Sequence, residues 1–284
     1  MRLSKSNADV LIPDGTDARA ALGRTTHLGI GAHADDLEIM AQHGVFGCFG
    51  RSDKWFTGVT CTDGRGSSRT GVYADCSDDD MVRIRLEEQR TAARIGRYAA
   101  ILQLMHTSAK AKDATATDLC HDLVEILEAT RPEIVYTHNP ADKHATHIAV
   151  LTSVLAAIRR LPAGERPRTV YGCEVWRDLD WMPDDRKVVL DCSGHENLAA
   201  ALVGVFDSQI AGGKRYDLAA AGRQRANATY LDSHAVDTVT AATNAIDLTP
   251  VIQEGGPDVV DYVDGFLGQF RESVRSQLTA LKRD

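Results

Sequence analysis

Two short stretches hold residue types that could share a metal ion. In Ala32-His33-Ala34-Asp35-Asp36 a histidine and two adjacent carboxylates stand where an apolar run stops. Further on, His138, Asp142, His144 and His147 fall within ten residues. Imidazole nitrogen and carboxylate oxygen are ordinary zinc ligands at about 2.0–2.2 Å. A tight turn lets His33 and Asp36 face one ion, with Asp35 beside it as a base toward water. The ion's charge would also relieve the crowding of the two carboxylates. His144 and His147, three apart at the start of a helix, can share a face. One could complete a three-ligand set with an open position, while the other reaches the substrate. The plainer alternative is that Asp35 and Asp36 only open the next helix, where negative charge is favoured. No Gly-x-Gly-x-x-Gly follows the first strand, which argues against a dinucleotide site.

The elements that must position these residues alternate. Apolar runs at 26–33, 55–63, 98–105 and 133–140 read as strands, as do 168–176 and 187–193. Helical patterns follow over about 37–49, 80–97, 117–130, 144–160 and 195–210. Such alternation predicts an α/β fold: a Rossmann-like, mostly parallel sheet flanked by helices. Ligands of such sheets bind at the carboxyl ends of the strands, where both motifs fall, so the metal site is expected there. No linker or repeat divides the chain, and one domain over 1–284 is expected. It has an N-terminal arm (about 1–25), a core (about 26–211) and a C-terminal segment (about 212–284). That last segment resists assignment; its Lys214, Arg215, Arg223 and Arg225 suit the mouth of the site, an oligomer contact or a solvated face.

Composition narrows the class. The 284 residues are 43% hydrophobic and 25% charged, enough for a sizeable core, and a formal net charge of −8 provides no nucleic-acid footprint. No apolar run approaches the roughly 20 residues of a membrane span, and the opening has no apolar signal region. Six scattered cysteines without a Cys-x-x-Cys pair read as reduced thiols. A soluble, cytoplasmic protein is expected, with no nucleic-acid or membrane partner. His27, His43, His106, His121 and His195 read as ordinary surface or core histidines.

With both motifs in matching order over about 26–160, the sequence resembles the PIG-L/LmbE-like zinc-dependent N-deacetylases. Their (Pro/Ala)-His-Pro-Asp-Asp motif corresponds to Ala32–Asp36 and their His-x-Asp-His motif to His144–His147. The resemblance implies a zinc ion (Zn2+) on His33, Asp36 and His147, with Asp35 as general base and His144 protonating the leaving amine or polarising the intermediate. It also implies substrate contacts by Arg85, in an Arg-x-x-Glu pattern, and a loop near the mouth at Thr62–Gly66, which holds Arg65. Arg223, in the basic segment, could meet an anionic substrate group. Thr146 stands where many members carry an aspartate that orients the catalytic histidine. Asp142, two residues before His144, is the nearest substitute.

The function expected is metal-dependent hydrolysis of an N-acetyl or other N-acyl group on a small molecule of the N-acetylglucosamine type. The alternatives are an amidase of an acylated conjugate and a non-catalytic metal- or sugar-binding member of the fold. Iron, cobalt or manganese suit such ligands as well as zinc, and a homo-oligomer is compatible with the sequence.

Overall fold

The computed structural model describes residues 1–283. β1 (Asp9–Leu11) and α1 (Ala18–Gly23) precede the first core strand, β2 (His27–Gly31). Next come α2 (Asp36–Met40), α3 (Gln42–Cys48), β3 (Phe56–Thr62), α4 (Asp78–Ile95) and β4 (Ala100–His106). α5 (Ser108–Ala111) and α6 (Asp118–Thr130) lead to β5 (Ile134–His138), and α7 (Ala145–Arg160) to β6 (Thr169–Cys173). β7 (Val188–Asp191), α8 (Glu196–Gly204), α9 (Asp207–Ile210) and α10 (Tyr216–Thr229) follow. β8 (Ala242–Asp247), α11 (Thr249–Ile252) and α12 (Val259–Leu281) complete the order.

All eight strands join one sheet in the order β1-β4-β3-β2-β5-β6-β8-β7. The five strands from β4 to β6 are parallel, while β1, β7 and β8 pair antiparallel. Every residue of β2, β3 and β4 is buried, as befits interior strands covered on both faces. One core gathers Leu28, Ile30, Leu123 and Val154 with α6 and α7; the other gathers Leu37, Val45, Phe56 and Tyr98 with α2, α3 and α4.

The chain builds outward from β2 through β3 to β4, then returns to lay β5 on the other flank of β2. The adjacent carboxyl ends of β2 and β5 therefore form a topological switch point, where such sheets hold ligands. Bare backbone brings α2 close to that point. A Cβ on Gly31 would stand 2.9 Å from Asp36 Cβ, and one on Gly58 would stand 2.8 Å from Leu37 Cδ1. Both glycines are thus needed for Leu37 to seat on the strands and for Asp36 to lie over the end of β2.

Several expected elements change shape. The helix expected over 37–49 is two, α2 and α3, separated at Ala41, whose φ of −108° is not helical. That expected over 195–210 divides likewise into α8 and α9, and the helix expected at 80 starts at Asp78 behind a Ser77–Asp80 capping box. In the segment without assignment, α10 forms a helix, β8 inserts between β6 and β7, and α12 ends the described chain. The six cysteines are free, and no helix among the described residues is long and apolar enough to cross a membrane.

Candidate metal centre

After β2 the backbone turns sharply. Asp35 takes φ 90°, a left-handed conformation unusual for a side chain other than glycine, and begins α2 as its N-cap. The turn is tied on both sides: the His33 amide donates to Asp36 Oδ2 at 2.7 Å, and the Asp35 amide donates to Gln89 Oε1 at 3.3 Å. Gln89 donates in turn to Glu38 Oε1 at 2.8 Å, which also accepts the Tyr98 hydroxyl at 2.7 Å. Two aspartates adjacent in sequence are thereby sent to different places.

Asp36 turns to the switch point and meets the histidines that follow β5. His33 Nδ1 lies 3.3 Å from Asp36 Oδ2, His147 Nε2 lies 3.4 Å from Asp36 Oδ1, and the two imidazole nitrogens are 3.2 Å apart. Three corners of a tetrahedron at about 2.0–2.1 Å from a central ion are about 3.3–3.4 Å apart. The two contacts of Asp36 are made by different oxygens, so it is each pair of donors, rather than one three-atom triangle, that has the spacing of tetrahedral ligands. Burial alone would raise the Asp36 carboxyl, but the His147 and His138 rings outweigh it and hold the carboxyl well below the usual range. Asp36 is therefore ionised, as a ligand must be.

His138 lies in the same cluster and received no role from the sequence. With Asp36 and His147 it forms one of two triads whose ligand atoms all lie within 4.8 Å of one another, His33, His144 and His147 forming the other, so the set expected from the sequence is divided between them. Its Nε2 accepts the Ala32 amide at 2.9 Å, so that lone pair is already engaged. Its ring stacks on His147 with centroids 3.8 Å apart, fixing the plane of that imidazole. Burial, with His147 adding to it, lowers His138 to about 4 and keeps it neutral.

Asp142 holds a different partner from the one expected. Its Oδ2 lies 3.4 Å from His147 Nδ1 and accepts the Trp176 amide at 3.2 Å, while Oδ1 accepts the His144 amide at 3.0 Å. The carboxylate meets the backbone of His144 and not its imidazole, whose Nδ1 has no hydrogen-bond partner among the described residues. The contact expected between Asp142 and the His144 ring is not made among the described residues. His144 is the N-cap of α7, with φ −93° and ψ 114°, and its ring packs against His147 and His33, with centroids 4.6 and 4.9 Å away, and stacks on Trp176 at 6.4 Å. Burial, then His147 and His33, lower the His144 imidazole to about 4.

Asp35 faces Arg85, whose Nη2 donates to Asp35 Oδ2 at 2.9 Å and to the Ala34 carbonyl. Arg85 Nη1 reaches Glu88 at 3.3 Å and Ser208 Oγ at 3.5 Å. Only 2% exposed, Arg85 borders the cleft with Nη1 and Nη2 engaged by the protein itself and Nε without a partner among the described residues. Burial raises the Asp35 carboxyl to about 6, with Arg85 opposing and Asp36 adding.

His33, Asp35, Asp36, Arg85 and His144 line one end of a cleft of about 760 Å³. Its opposite wall comes from Trp176 and, in the segment that the sequence left unassigned, from Lys214, Tyr216 and Arg223. Lys214 Nζ sits 5.1 Å above the Trp176 ring, and Trp176 meets Tyr216 edge-on at 6.0 Å. Lys112 and Lys143 complete a cationic rim. Arg223 borders the cleft and donates to the Val175 carbonyl. Arg65 is instead drawn to Asp63 at 2.7 Å and is not among the cleft residues. No motif marks Gln89, His138 or Trp176; only the fold assembles them.

Fold and site together define a Rossmann-like α/β protein with a His/Asp cluster suited to a divalent metal at its switch point. The family model for PIG-L, described as GlcNAc-PI de-N-acetylase, matches residues 28–158, a span that contains both histidine motifs. This match agrees with the resemblance to the PIG-L/LmbE-like family that the two motifs carry. Solved structures share the fold at low identity. GalB, the 4-carboxy-2-hydroxymuconate hydratase of Pseudomonas putida KT2440, is 17% identical with a TM-score of 0.61, over 81% of this chain and 98% of that one. The N,N'-diacetylchitobiose deacetylase of Pyrococcus horikoshii is 15% identical with a TM-score of 0.60, over 82% and 87%. The A40926 pseudoaglycone deacetylase Dbv21 is 14% identical with a TM-score of 0.54, over 79% and 97%. No curated protein matches the chain.

Proposed function

We propose that the protein is a metal-dependent N-deacetylase acting on an N-acetylglucosamine-type sugar or a related small N-acyl amine. A fold shared with a hydratase cannot by itself assign chemistry, so the reading rests on the site. Its central support is the convergence of His33 Nδ1, the two oxygens of Asp36 and His147 Nε2 at pairwise distances of 3.2–3.4 Å, with Asp35 next to them in an open cleft.

His33, Asp36 and His147 would hold the ion. Zinc suits this nitrogen and oxygen set, as other divalent metals do. Bound there, the ion supplies Lewis acidity, acidifying water and polarising an amide carbonyl. Asp35 accepts the proton of the attacking water on Oδ1, because Oδ2 is held by Arg85. A carboxyl poised near 6 can then return that proton to the departing amine nitrogen. His144, neutral at pH 7, serves best as an N–H donor to the developing oxyanion rather than as the acid. Arg85 and Gln89 are positioning residues that fix the side chain and backbone of Asp35.

Acetate release from a panel of N-acetylated sugars, amines and larger acylated conjugates, with and without chelator, tests the proposal. Chelator-sensitive release is expected. Asp35→Asn should keep the metal and lose about 10²–10⁴-fold in turnover. Near-wild-type turnover in metal-replete Asp35→Asn would overturn its role as base, and no hydrolysis by metal-loaded wild type across the panel would overturn the enzymatic reading.

A further inference from the structure

α12 leaves the body of the protein soon after it starts. Phe266 is buried against the core, and the Tyr262 hydroxyl donates to the Asp247 carbonyl at 3.0 Å. From Arg271 to Leu281 every residue is exposed, a projection of about 16 Å at ~1.5 Å per residue. A lone helix of this length is marginal in water, and Gly265 and Gly268 in its interior each cost roughly 1 kcal/mol relative to alanine. The helix needs a packed face. Val260, Val263, Leu267, Phe270 and Val274 follow one another at alternating steps of three and four, the a and d positions of a heptad repeat. Gln277 takes the next d position and Leu281 the next a, with Leu278 alongside. Leu267, Phe270, Val274, Leu278 and Leu281 are 40–80% exposed.

We infer that this stripe is the contact between two copies of the chain, α12 packing antiparallel on α12. A seam of period 3.5 is matched along its length by a helix of the same period, and the chain itself supplies one. Charge selects the direction. In the antiparallel register Leu267 faces Phe270 of the partner subunit and Val263 faces the partner's Val274. That register sets Asp264 beside the partner's Arg271, and two-fold symmetry forms the pair twice. A parallel pair leaves both charges without an opposite number. A lipid surface fits worse, because the polar face mixes Asp261, Asp264 and Glu272 with Arg271 and Arg275 and lacks the cationic excess of interfacial helices.

Light scattering on the full-length chain after size exclusion should give twice the 30.8 kDa chain mass at micromolar concentration. The variant Leu267→Lys/Phe270→Glu/Val274→Lys should run as a single chain while its thermal transition stays cooperative. Asp264→Arg should weaken the dimer several-fold, and adding Arg271→Asp should restore it. A wild-type monomer, or an undiminished dimer in the triple variant, would overturn the contact. Failure of the charge swap to restore association would overturn the antiparallel register.

Discussion

With Oδ2 3.4 Å from His147 Nδ1 and Oδ1 on the His144 amide, Asp142 acts on a candidate ligand rather than on the His144 ring. A carboxylate in that position fixes the tautomer of the imidazole and raises its basicity toward a metal. Asp142→Asn should therefore weaken metal binding about 10–100-fold, measured by chelator competition, with a smaller effect on turnover at saturating metal. Unchanged metal affinity with a displaced pH profile of turnover would instead return Asp142 to His144. Residue types at the site were legible because a histidine and two carboxylates at one strand end, and histidines at another, have few other reasons to converge. Their pairings were not. His144 and His147 do lie together, with ring centroids 4.6 Å apart, although His144 is the N-cap rather than a residue of the helix proper. Gln89, which ties down the strained Asp35 backbone, sits mid-helix with nothing in its neighbours to distinguish it.

β2 carries two histidines of opposite kind, which places the next prediction at the level of the element. His33 lies beyond its carboxyl end in the cleft, whereas His27 opens the strand, 6% exposed and stacked on Tyr136 at 6.2 Å. Burial, with Lys54 and His43 adding repulsion, lowers His27 from 6.5 to about 4. Between those values the unfolded chain binds a proton that the folded one refuses, so stability rises with pH across this window. The contribution is complete above pH 6.5 and is lost as pH falls through 4, on the order of 2–3 kcal/mol. His27→Gln should flatten the dependence of urea-unfolding free energy on pH between 4 and 6.5; an unaltered slope would contradict it. The parallel strands were legible as elements because burial on both faces leaves near-continuous apolar runs. β8 was not: Thr243 and Asn244 interrupt its apolar pattern, and its place between β6 and β7 depends on pairing with strands far away in sequence.

For the whole molecule, a formal net charge of −8 contrasts with the cationic rim of Lys112, Lys143, Lys214 and Arg223 around the cleft. An acidic protein with a local positive mouth repels anions over most of its surface and admits them at one place. The expected substrate is thus an N-acyl amine that also carries a negative group, remote from the hydrolysed bond. Lys214 is the most direct test, being exposed and held only by the Trp176 ring at 5.1 Å. Lys214→Glu should raise KM for an anionic N-acetyl substrate about three- to tenfold, the scale of reversing one exposed charge, with kcat nearly constant. KM for neutral N-acetylglucosamine should stay within error, and added salt should narrow the gap between the two substrates. If Lys214→Gln raised KM equally for both substrates, the lysine would shape the Trp176 wall rather than select charge.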